Sequence, residues 1–209
     1  MTTFIECLHP QRSPEWFSAR CGKVTGSAVR NVLAKNKTGE PMGRIEYRTQ
    51  LAIERITGSP AGSTFTNAAI QRGTDLEPVA RAAYEVQTGS LALETGFWHD
   101  DNMGASPDGL IDDDGLLEIK CPLLTTHFGY LKAGTVPSKY VPQIQMQMFV
   151  TGREWCDFVS FCPEYPEHLR LMIVRCKRDE EYIANMVVEI EKFLGEVQTD
   201  VLFLEKKNE

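Results

Sequence analysis

The most constraining feature of this sequence is an acidic turn between two short apolar segments in the middle of the chain. The apolar segments are residues 110–111 and 116–119, and the turn between them ends in Asp114-Gly115. An Asp-Gly pair between apolar segments is typical of a β-hairpin, so the chain is predicted to fold back on itself here. The hairpin would bring Asp108, at the start of its first strand, close to Glu118 on its second strand.

The predicted hairpin creates a site with two carboxylates and an amine. Side chains alternate across a strand, so Glu118 and Lys120 share one face, while the Ile119 side chain enters the core and only its carbonyl stays available. Two close carboxylates repel each other unless a cation lies between them, and hard oxygen ligands suit Mg²⁺ or Mn²⁺. A lysine beside that ion can polarise a water or stabilise charge on a phosphate. The pattern predicts phosphodiester hydrolysis by Asp108, Glu118 and Lys120.

The remaining acids of the turn have a simpler interpretation. Residues 112–114 are three consecutive aspartates at the tip of the hairpin. Charged residues at such a tip usually face water, because turns lie on the surface. We therefore predict a solvated turn for these three residues and assign them no catalytic role.

Length and composition are those of one globular domain. The chain has 209 residues, of which 42% are hydrophobic and 24% charged, which is enough to bury one sizeable core. No apolar segment approaches the roughly 20 residues that span a bilayer, and the first residues lack the features of a signal peptide. The six cysteines include no Cys-x-x-Cys pair. We therefore expect a soluble intracellular protein with reduced thiols.

Charge is distributed unevenly along the chain. The total is −7, but residues 11–60 carry nine basic and four acidic residues, a net charge of +5. Residues 179–209 carry nine acidic and three basic residues, a net charge of −6. The N-terminal segment is therefore predicted to face phosphate, and the C-terminal segment to face away from nucleic acid.

The residues around the hairpin resemble a known family of nucleases. Pro107-Asp108, followed after nine residues by Glu118-Ile119-Lys120, matches the PD-(D/E)xK signature. The longer segments 106–110 and 118–122 resemble the lambda-type phage exonucleases, also called YqaJ-like viral recombinases. The resemblance implies a restriction-endonuclease-like α/β fold with a central mixed β-sheet flanked by helices, in a single domain of residues 1–209.

Local patterns divide this domain into three parts. We place DNA- and phosphate-binding helices at about residues 13–58, the catalytic core at about 67–162, and a C-terminal helix at about 179–198. Within these parts we predict helices near residues 13–20, 44–57, 75–88, 125–131 and 138–152. We predict strands near residues 91–98, 155–162 and 169–176, in addition to the hairpin.

The resemblance also implies a pocket for a 5′ phosphate. The segment Trp16-x-x-x-Arg20, followed by Thr25-x-Ser27, matches the phosphate-anchoring segment of the family, and Ser106 would reach the same pocket from the hairpin. Helix N-termini present free amides to anions, which suits this function. The alternative is that Thr25 and Ser27 only cap a helix.

The resemblance implies further roles for residues outside the hairpin. Glu77 would be an additional metal ligand, with Asp108, Glu118 and the Ile119 carbonyl; the alternative is a stabilising acid in a first helical turn. Gln143 would order the site from the motif Gln143-x-Gln145, whose alternative is an ordinary exposed helix face. Ile70 would be a wedge between terminal bases, although a core contact is the commoner role for such a residue.

One position departs from the family pattern. Some relatives have an arginine for the DNA 5′ phosphate where this chain has Thr126. The contact would then be missing or would pass to a neighbour such as His127. The four histidines of the chain form no metal motif, and each is predicted to lie on the surface or at the edge of the core.

The function implied by the resemblance is a 5′-to-3′ exonuclease acting on the ends of double-stranded DNA with Mg²⁺, for which Mn²⁺ can substitute. The enzyme would release mononucleotides and leave a 3′ overhang for a phage single-strand annealing protein. It would work as a homotrimeric ring in the cytoplasm of a bacterial host, encoded by a phage or prophage. The alternatives are a structure- or sequence-specific endonuclease of the same fold, and a non-catalytic DNA-binding protein that retains the fold.

Overall fold

The protein folds into two mixed β-sheets and a set of surrounding helices. The structure, a computed structural model, describes residues 3–61 and 68–206. The strands of these residues are β1 (Ile5–Cys7), β2 (Val24–Thr25), β3 (Ala92–Leu93), β4 (Phe97–His99), β5 (Met103–Ala105), β6 (Gly109–Ile111), β7 (Gly115–Lys120), β8 (Trp155–Phe161) and β9 (Leu171–Lys177). The helices are α1 (Pro14–Arg20), α2 (Val29–Leu33), α3 (Met42–Thr57), α4 (Ala68–Thr88), α5 (Leu124–Ala133), α6 (Val141–Thr151) and α7 (Glu180–Glu205), with a 3₁₀ turn at Glu167–Leu169.

The larger sheet has the strand order β3-β6-β7-β8-β9, and the smaller one β1-β4-β5-β2. Each sheet contains one parallel pair, β7 with β8 and β2 with β5, while its other pairs are antiparallel. The predicted mixed α/β class is confirmed, but the described strands form two sheets where one central sheet was expected.

The second sheet arises where a single strand was predicted over residues 91–98. The structure divides this segment into β3, which pairs with β6, and β4, which pairs with β1 and β5. Gly96 lies between them, and a Cβ at this residue would overlap the Cys7 carbonyl. The Glu6 carboxylate also accepts hydrogen bonds from the Thr95 hydroxyl and the Gly96 N–H. The chain therefore changes sheets at a glycine that β1 approaches closely.

The predicted hairpin is present as β6 and β7. Gly109 pairs with Leu117, and Ile111 with Gly115, which leaves the three exposed aspartates 112–114 as the connection. Within this turn, Asp112 adopts a left-handed conformation (φ 45°). The Arg153 guanidinium donates hydrogen bonds to the carbonyls of Ile111, Asp112 and Gly115 and thereby holds the turn.

Helices cover both faces of the larger sheet. On one face, Leu117 and Ile119 of β7 pack with Ala80 and Tyr84 of α4. On the other face, Leu116 of β7 packs with residues of α6. The alternation along β7 consequently places Glu118 and Lys120 on the α6 face. The prediction that these two side chains share one face is confirmed.

The basic and acidic segments of the chain contact each other through α3 and α7. The Arg44 guanidinium lies 2.7 and 2.9 Å from the two Glu196 carboxylate oxygens, and Arg48 Nε lies 3.0 Å from Asp200 Oδ2. The prediction that residues 11–60 face phosphate is therefore wrong for Arg44 and Arg48, because the acidic helix already neutralises them.

Helix α7, capped by Asp179, also extends to Glu205 rather than to about residue 198.

The six cysteines all lie in described parts of the chain and are free thiols. Residues 3–61 and 68–206 include no helix that is long and apolar enough to cross a membrane.

Gly115→Ala is expected to destabilise the protein, because an added Cβ would overlap the Trp155 ring that packs on this residue. Overpacking of this kind costs about 1–3 kcal/mol of unfolding free energy, which urea unfolding can measure. Gly195→Ala in α7 is the matched control. A Cβ there meets nothing within 4 Å among the described atoms, and the change should stabilise the helix by about 0.5–1 kcal/mol. Equal stability changes in the two variants would contradict this account of Gly115.

Candidate active site

Asp108 is attached to the end of β7 by two hydrogen bonds. Its backbone N–H donates to the Leu117 carbonyl at 3.0 Å, and its carboxylate Oδ2 accepts from the Ile119 N–H at 2.6 Å. The carboxylate thus continues the β6–β7 ladder beyond Gly109, the first residue of β6. The N–H and C=O of one strand residue point to the same edge, so the Ile119 carbonyl also points toward Asp108. The predicted proximity of Asp108 to the second strand is confirmed.

Glu118 is fully buried, and three donors hold its carboxylate. Gln143 Nε2 donates to Oε1 at 2.7 Å, and Gln147 Nε2 donates to Oε2 at 2.6 Å. The Lys120 ammonium forms an ion pair with Oε1. Glu118, Lys120 and Gln143, which the sequence assigned to the site, are therefore in direct contact.

The surroundings of Asp108 and Lys120 shift the pKa values of both groups. Burial and the negative charge of Glu118 raise the pKa of Asp108 to about 8, although Lys120 opposes this shift. Burial lowers the pKa of Lys120, but the charges of Glu118 and Asp108 outweigh it and leave the net pKa above the usual range. The site therefore favours additional positive charge near Asp108. Asp108, Glu118 and the Ile119 carbonyl offer the hard oxygen ligands that Mg²⁺ or Mn²⁺ prefers.

Glu77 reaches the same region from α4. Arg12 Nη2 lies 3.0 Å from Glu77 Oε2, and Arg81 Nη2 lies 3.6 Å from Oε1. Arg81 also donates to the Asp108 carbonyl. The alternative interpretation of Glu77 as a first-turn acid is wrong, because α4 begins nine residues earlier at Ala68.

The metal ligands predicted from the sequence do not converge as a complete side-chain cluster. Within the described ranges, no three His, Cys, Asp or Glu side chains are grouped as a ready metal site. Two side chains, Asp108 and Glu118, and one carbonyl form the core of the candidate set. The carboxylate of Glu77 is engaged by arginine, so its role as a metal ligand stays a prediction.

A cavity of about 380 Å³ opens beside these residues. Its lining includes Asp108 together with Glu77 and Arg81 of α4. Gln11 and Arg12, from the loop before α1, also line it. Acidic and basic groups therefore meet in a space adjacent to the candidate metal ligands.

The predicted phosphate pocket is built around Trp16. The Arg20 guanidinium lies 3.9 Å from the Trp16 ring centroid, and its Nη2 donates to the Ser27 hydroxyl at 3.4 Å. Trp16 Nε1 donates to the Ser106 hydroxyl at 3.0 Å, which connects the pocket to the segment that precedes Asp108. Burial lowers the pKa of Arg20 to about 10, so the guanidinium remains charged at neutral pH. Arg20, Ser27 and Ser106 are thus brought together.

Thr25 is the fourth residue of the predicted phosphate pocket, and it is buried against Tyr47. It is 8% exposed, and its N–H donates to the Tyr47 hydroxyl at 2.9 Å. The alternative that Thr25 and Ser27 cap a helix is wrong, because the N-cap of α2 is Ala28 and has no side-chain cap. Parallel pairing of Thr25 with Gly104 places this segment beside β5, from which Ser106 follows.

His127, which was expected to be able to take over the phosphate contact that an arginine makes in some relatives, does not lie on the surface. His127 is fully buried; its Nδ1 contacts the Ser160 hydroxyl at 2.8 Å, and its Nε2 contacts the Leu169 carbonyl at 2.8 Å. The prediction that His127 lies at the surface or core edge, and can take over a phosphate contact, is therefore wrong. Thr126 is exposed.

Ile70 lies in the first turn of α4, where its side chain is 50% exposed. This exposure is compatible with a contact to DNA, and its role as a wedge stays a prediction. Residues 62–67, between α3 and α4, lie outside the described ranges.

Sequence reasoning missed Gln147. The family motif directed attention to Gln145, but the Gln145 amide contacts the Lys177 carbonyl and the Asp179 N–H, away from Glu118. Gln147 follows Gln143 by four residues, the spacing that places two side chains on the same helix face. That spacing was the available signal. The alternative of an exposed glutamine face is wrong, because Gln145 and Gln147 are both buried.

Comparisons with known proteins agree on one family. The model of the YqaJ-like viral recombinase domain matches residues 15–154. The chain is similar to LHK-Exo, an alkaline exonuclease from Laribacter hongkongensis, with 41% identity over 94% of this chain and 98% of that one, and a TM-score of 0.85. For the LHK-Exo complex with dAMP the TM-score is 0.86, at the same identity and coverage.

A more distant structure shares the fold alone. It is a phage-related exonuclease from Haemophilus somnus 129PT, with 17% identity, 90% coverage of this chain, 96% coverage of that chain and a TM-score of 0.66. No curated protein sequence matches this chain significantly.

Asp108→Asn is expected to stabilise the protein in a buffer with EDTA. The amide oxygen can still accept from the Ile119 N–H, while asparagine, unlike Asp108, does not have to take up a proton at pH 7 to avoid a buried negative charge beside Glu118. Single stabilising substitutions commonly add about 0.5–2 kcal/mol to the free energy of unfolding, and we expect a gain in this range. Urea unfolding at pH 7 measures the gain, and Asp113→Asn at the exposed hairpin tip should change stability by less than about 0.5 kcal/mol. A lower stability of Asp108→Asn would show that the negative charge is needed for folding.

Proposed function

Because the chain belongs to the family of YqaJ-like viral recombinase domains and has the fold of an alkaline exonuclease, we propose that it is a metal-dependent exonuclease acting on double-stranded DNA. The observation that carries the proposal is the grouping of Asp108, Glu118, Lys120 and the Ile119 carbonyl at the end of β7. Those groups suit phosphodiester hydrolysis, whereas a protein that only binds DNA does not need two enclosed carboxylates beside a lysine.

Asp108, Glu118 and the Ile119 carbonyl would hold a divalent cation, which we propose to be Mg²⁺, with Mn²⁺ able to substitute. The raised pKa of Asp108 supports this assignment, since it reflects burial of this carboxyl beside the negative charge of Glu118, which a cation would offset. When bound, such a cation supplies Lewis-acid stabilisation of phosphate and lowers the pKa of water. Glu77 would join the set if Arg12 moved away from its carboxylate.

The protein's own groups have distinct roles in this proposal. Lys120, paired with Glu118, orients a water or stabilises charge that develops on the phosphate. Gln143 holds the Glu118 carboxylate in place. Ile70 would contact the terminal bases from the start of α4.

Polarity from the 5′ end is proposed on the basis of the Arg20 pocket. A terminal phosphate carries more negative charge than an internal diester, and a guanidinium with hydroxyl partners matches it well. Arg20, Ser27 and Ser106, with Thr25 nearby, would hold the 5′ phosphate ahead of the carboxylates. Each cleavage would create a new 5′ phosphate and leave a longer 3′ overhang. A phage single-strand annealing protein in the bacterial cytoplasm would receive that strand.

The first test is the choice of substrate. Linear duplex DNA labelled at either 5′ or 3′ end, and a closed circular duplex, are incubated with the protein in Mg²⁺ or in EDTA. The proposal requires mononucleotides released from 5′ ends, an intact circle and no products in EDTA. Cleavage of the closed circle would identify an endonuclease instead.

Lys120→Ala is expected to abolish hydrolysis while leaving a folded protein, because the ammonium acts on the reacting phosphate or water. The rate should fall by at least 100-fold, on the order of the 10²–10⁴-fold that a positioned catalytic group contributes. Initial rates on linear duplex measure the loss, and Lys132→Ala, an exposed lysine of α5, is the control. Near-normal turnover in folded Lys120→Ala would remove Lys120 from the mechanism.

Arg20→Ala is expected to slow digestion of 5′-phosphorylated ends much more than of 5′-hydroxyl ends. A charge-assisted contact contributes about 1.5–3 kcal/mol, or roughly tenfold to a hundredfold in rate. Digestion of matched duplexes with either end chemistry gives the ratio, and the exposed Arg30→Ala provides a control of equal charge. The pocket would be disproved by a wild-type enzyme with no preference for 5′ phosphate.

The family resemblance further leads us to propose a homotrimeric ring around DNA. Enclosure would keep an acidic protein on its substrate without strong overall attraction, and a symmetric ring requires heterologous contacts that close. Light scattering of the full chain should then give a mass of three times 23.5 kDa. A stable monomer that still digests long DNA without dissociating would exclude the ring.

A further inference from the structure

We propose that Gln147 is a positioning residue that sets the separation of the two carboxylates, Asp108 and Glu118, and thereby the affinity of the site for its metal. The inference rests on the proposed function and deepens it. It concerns a residue that neither the hairpin pattern nor the nuclease signature includes.

The amide nitrogen of Gln147 connects the segment that precedes Asp108 with strand β7, which carries Glu118. Nε2 donates to Glu118 Oε2 at 2.6 Å and also to the Ser106 carbonyl at 3.3 Å. Ser106 precedes Asp108 by two residues in the chain. A single nitrogen therefore spans the gap between the segment that carries Asp108 and the strand that carries Glu118.

Gln147 also completes the restraint of the Glu118 carboxylate. Gln143 donates to Oε1, and Gln147, one helical turn later on α6, donates to Oε2. With a donor on each oxygen, rotation of the carboxylate would break at least one short hydrogen bond. The direction in which Glu118 presents its remaining lone pairs is thereby fixed relative to Asp108.

Burial of the Gln147 amide has a free-energy cost, so hydrophobic packing alone does not account for a glutamine at this position. Its side chain is fully buried, and its Oε1 has no hydrogen-bond partner among the described residues. Burying an amide oxygen without a partner is unfavourable, whereas a methionine of similar length would fill the space without that cost. The amide is therefore useful for its nitrogen, which is the atom that contacts Glu118 and Ser106.

The chain contains a matched control on the same helix. Gln145 is also buried, and its amide bonds to the Lys177 carbonyl and the Asp179 N–H on the side of α6 away from the site. Gln145→Met and Gln147→Met are thus the same chemical change, two residues apart, in two buried amides. Only the second removes a contact with Glu118.

The test is Mn²⁺ binding to the full-length protein without DNA, measured from the loss of the free Mn²⁺ signal in electron paramagnetic resonance. Loss of an outer-shell partner typically weakens metal affinity by roughly 10- to 100-fold. We expect Gln147→Met to raise the Kd for Mn²⁺ within that range and Gln145→Met to leave it within about twofold of wild type. Circular dichroism and urea unfolding establish that both variants fold.

A second readout separates positioning from general destabilisation. The Mg²⁺ concentration for half-maximal hydrolysis should rise in Gln147→Met in parallel with the Mn²⁺ Kd, and remain unchanged in Gln145→Met even if the latter is less stable. If Gln147→Met does not fold, Gln147→Asn replaces it. That variant keeps a buried amide but is one methylene too short to reach both partners, and the same rise in Kd is expected.

The outcomes distinguish this inference from the function on which it rests. A wild-type protein that cleaves DNA and binds Mn²⁺, with a Gln147 variant that binds Mn²⁺ equally well, would overturn the positioning role alone. An equal rise of Kd in both methionine variants would likewise assign the effect to lost stability. A wild-type protein that neither binds Mn²⁺ nor cleaves DNA would overturn the proposed function together with the inference.

Discussion

The candidate site depends on the hydrogen bond between the Ile119 N–H and the Asp108 carboxylate. Asp108 lies in a bend before β6, where a side chain would otherwise have several orientations. The bond replaces the ladder contact that β6 no longer provides, and it aligns the carboxylate with the edge to which the Ile119 carbonyl points. The hairpin therefore positions one acid by its backbone pairing and the other, Glu118, by the alternation of side chains along β7.

Helix α6 supplies the second level of order. Its inward face contributes both packing, through Ile144 and Met148, and the two amides that restrain Glu118. Trp16 performs a related function on the other side, since its ring supports the Arg20 guanidinium and its indole nitrogen donates to Ser106. The candidate phosphate pocket and the candidate metal ligands are consequently connected through residues 106–108.

The placement of Asp108 beside Glu118 lowers the stability of the folded protein. Burial and the neighbouring Glu118 raise the pKa of Asp108, which means that folding disfavours the negative charge that this carboxyl carries in the unfolded chain. Hydrophobic packing and ion pairs elsewhere in the fold offset this cost. Aromatic and aliphatic residues of α3 and α7, including Tyr47 and Phe193, form the largest core cluster. The ion pairs of Arg44 and Arg48 with α7 further connect the N- and C-terminal parts of the described chain.

The sequence by itself determined the hairpin, the shared face of Glu118 and Lys120, and most helix ends, because these depend on local spacing and on capping residues such as Ser13 and Asp179. Tertiary structure decided what local patterns do not encode. The division of residues 91–98 between two sheets depends on the close approach of Cys7 to Gly96. Neutralisation of Arg44 by Glu196 joins residues 152 positions apart. Burial of His127, and the choice of Gln147 over Gln145 as the partner of Glu118, depend on which side of α5 or α6 meets the sheet. The orientation of a helix on a sheet results from packing summed over many distant residues, and no short segment of sequence contains that information.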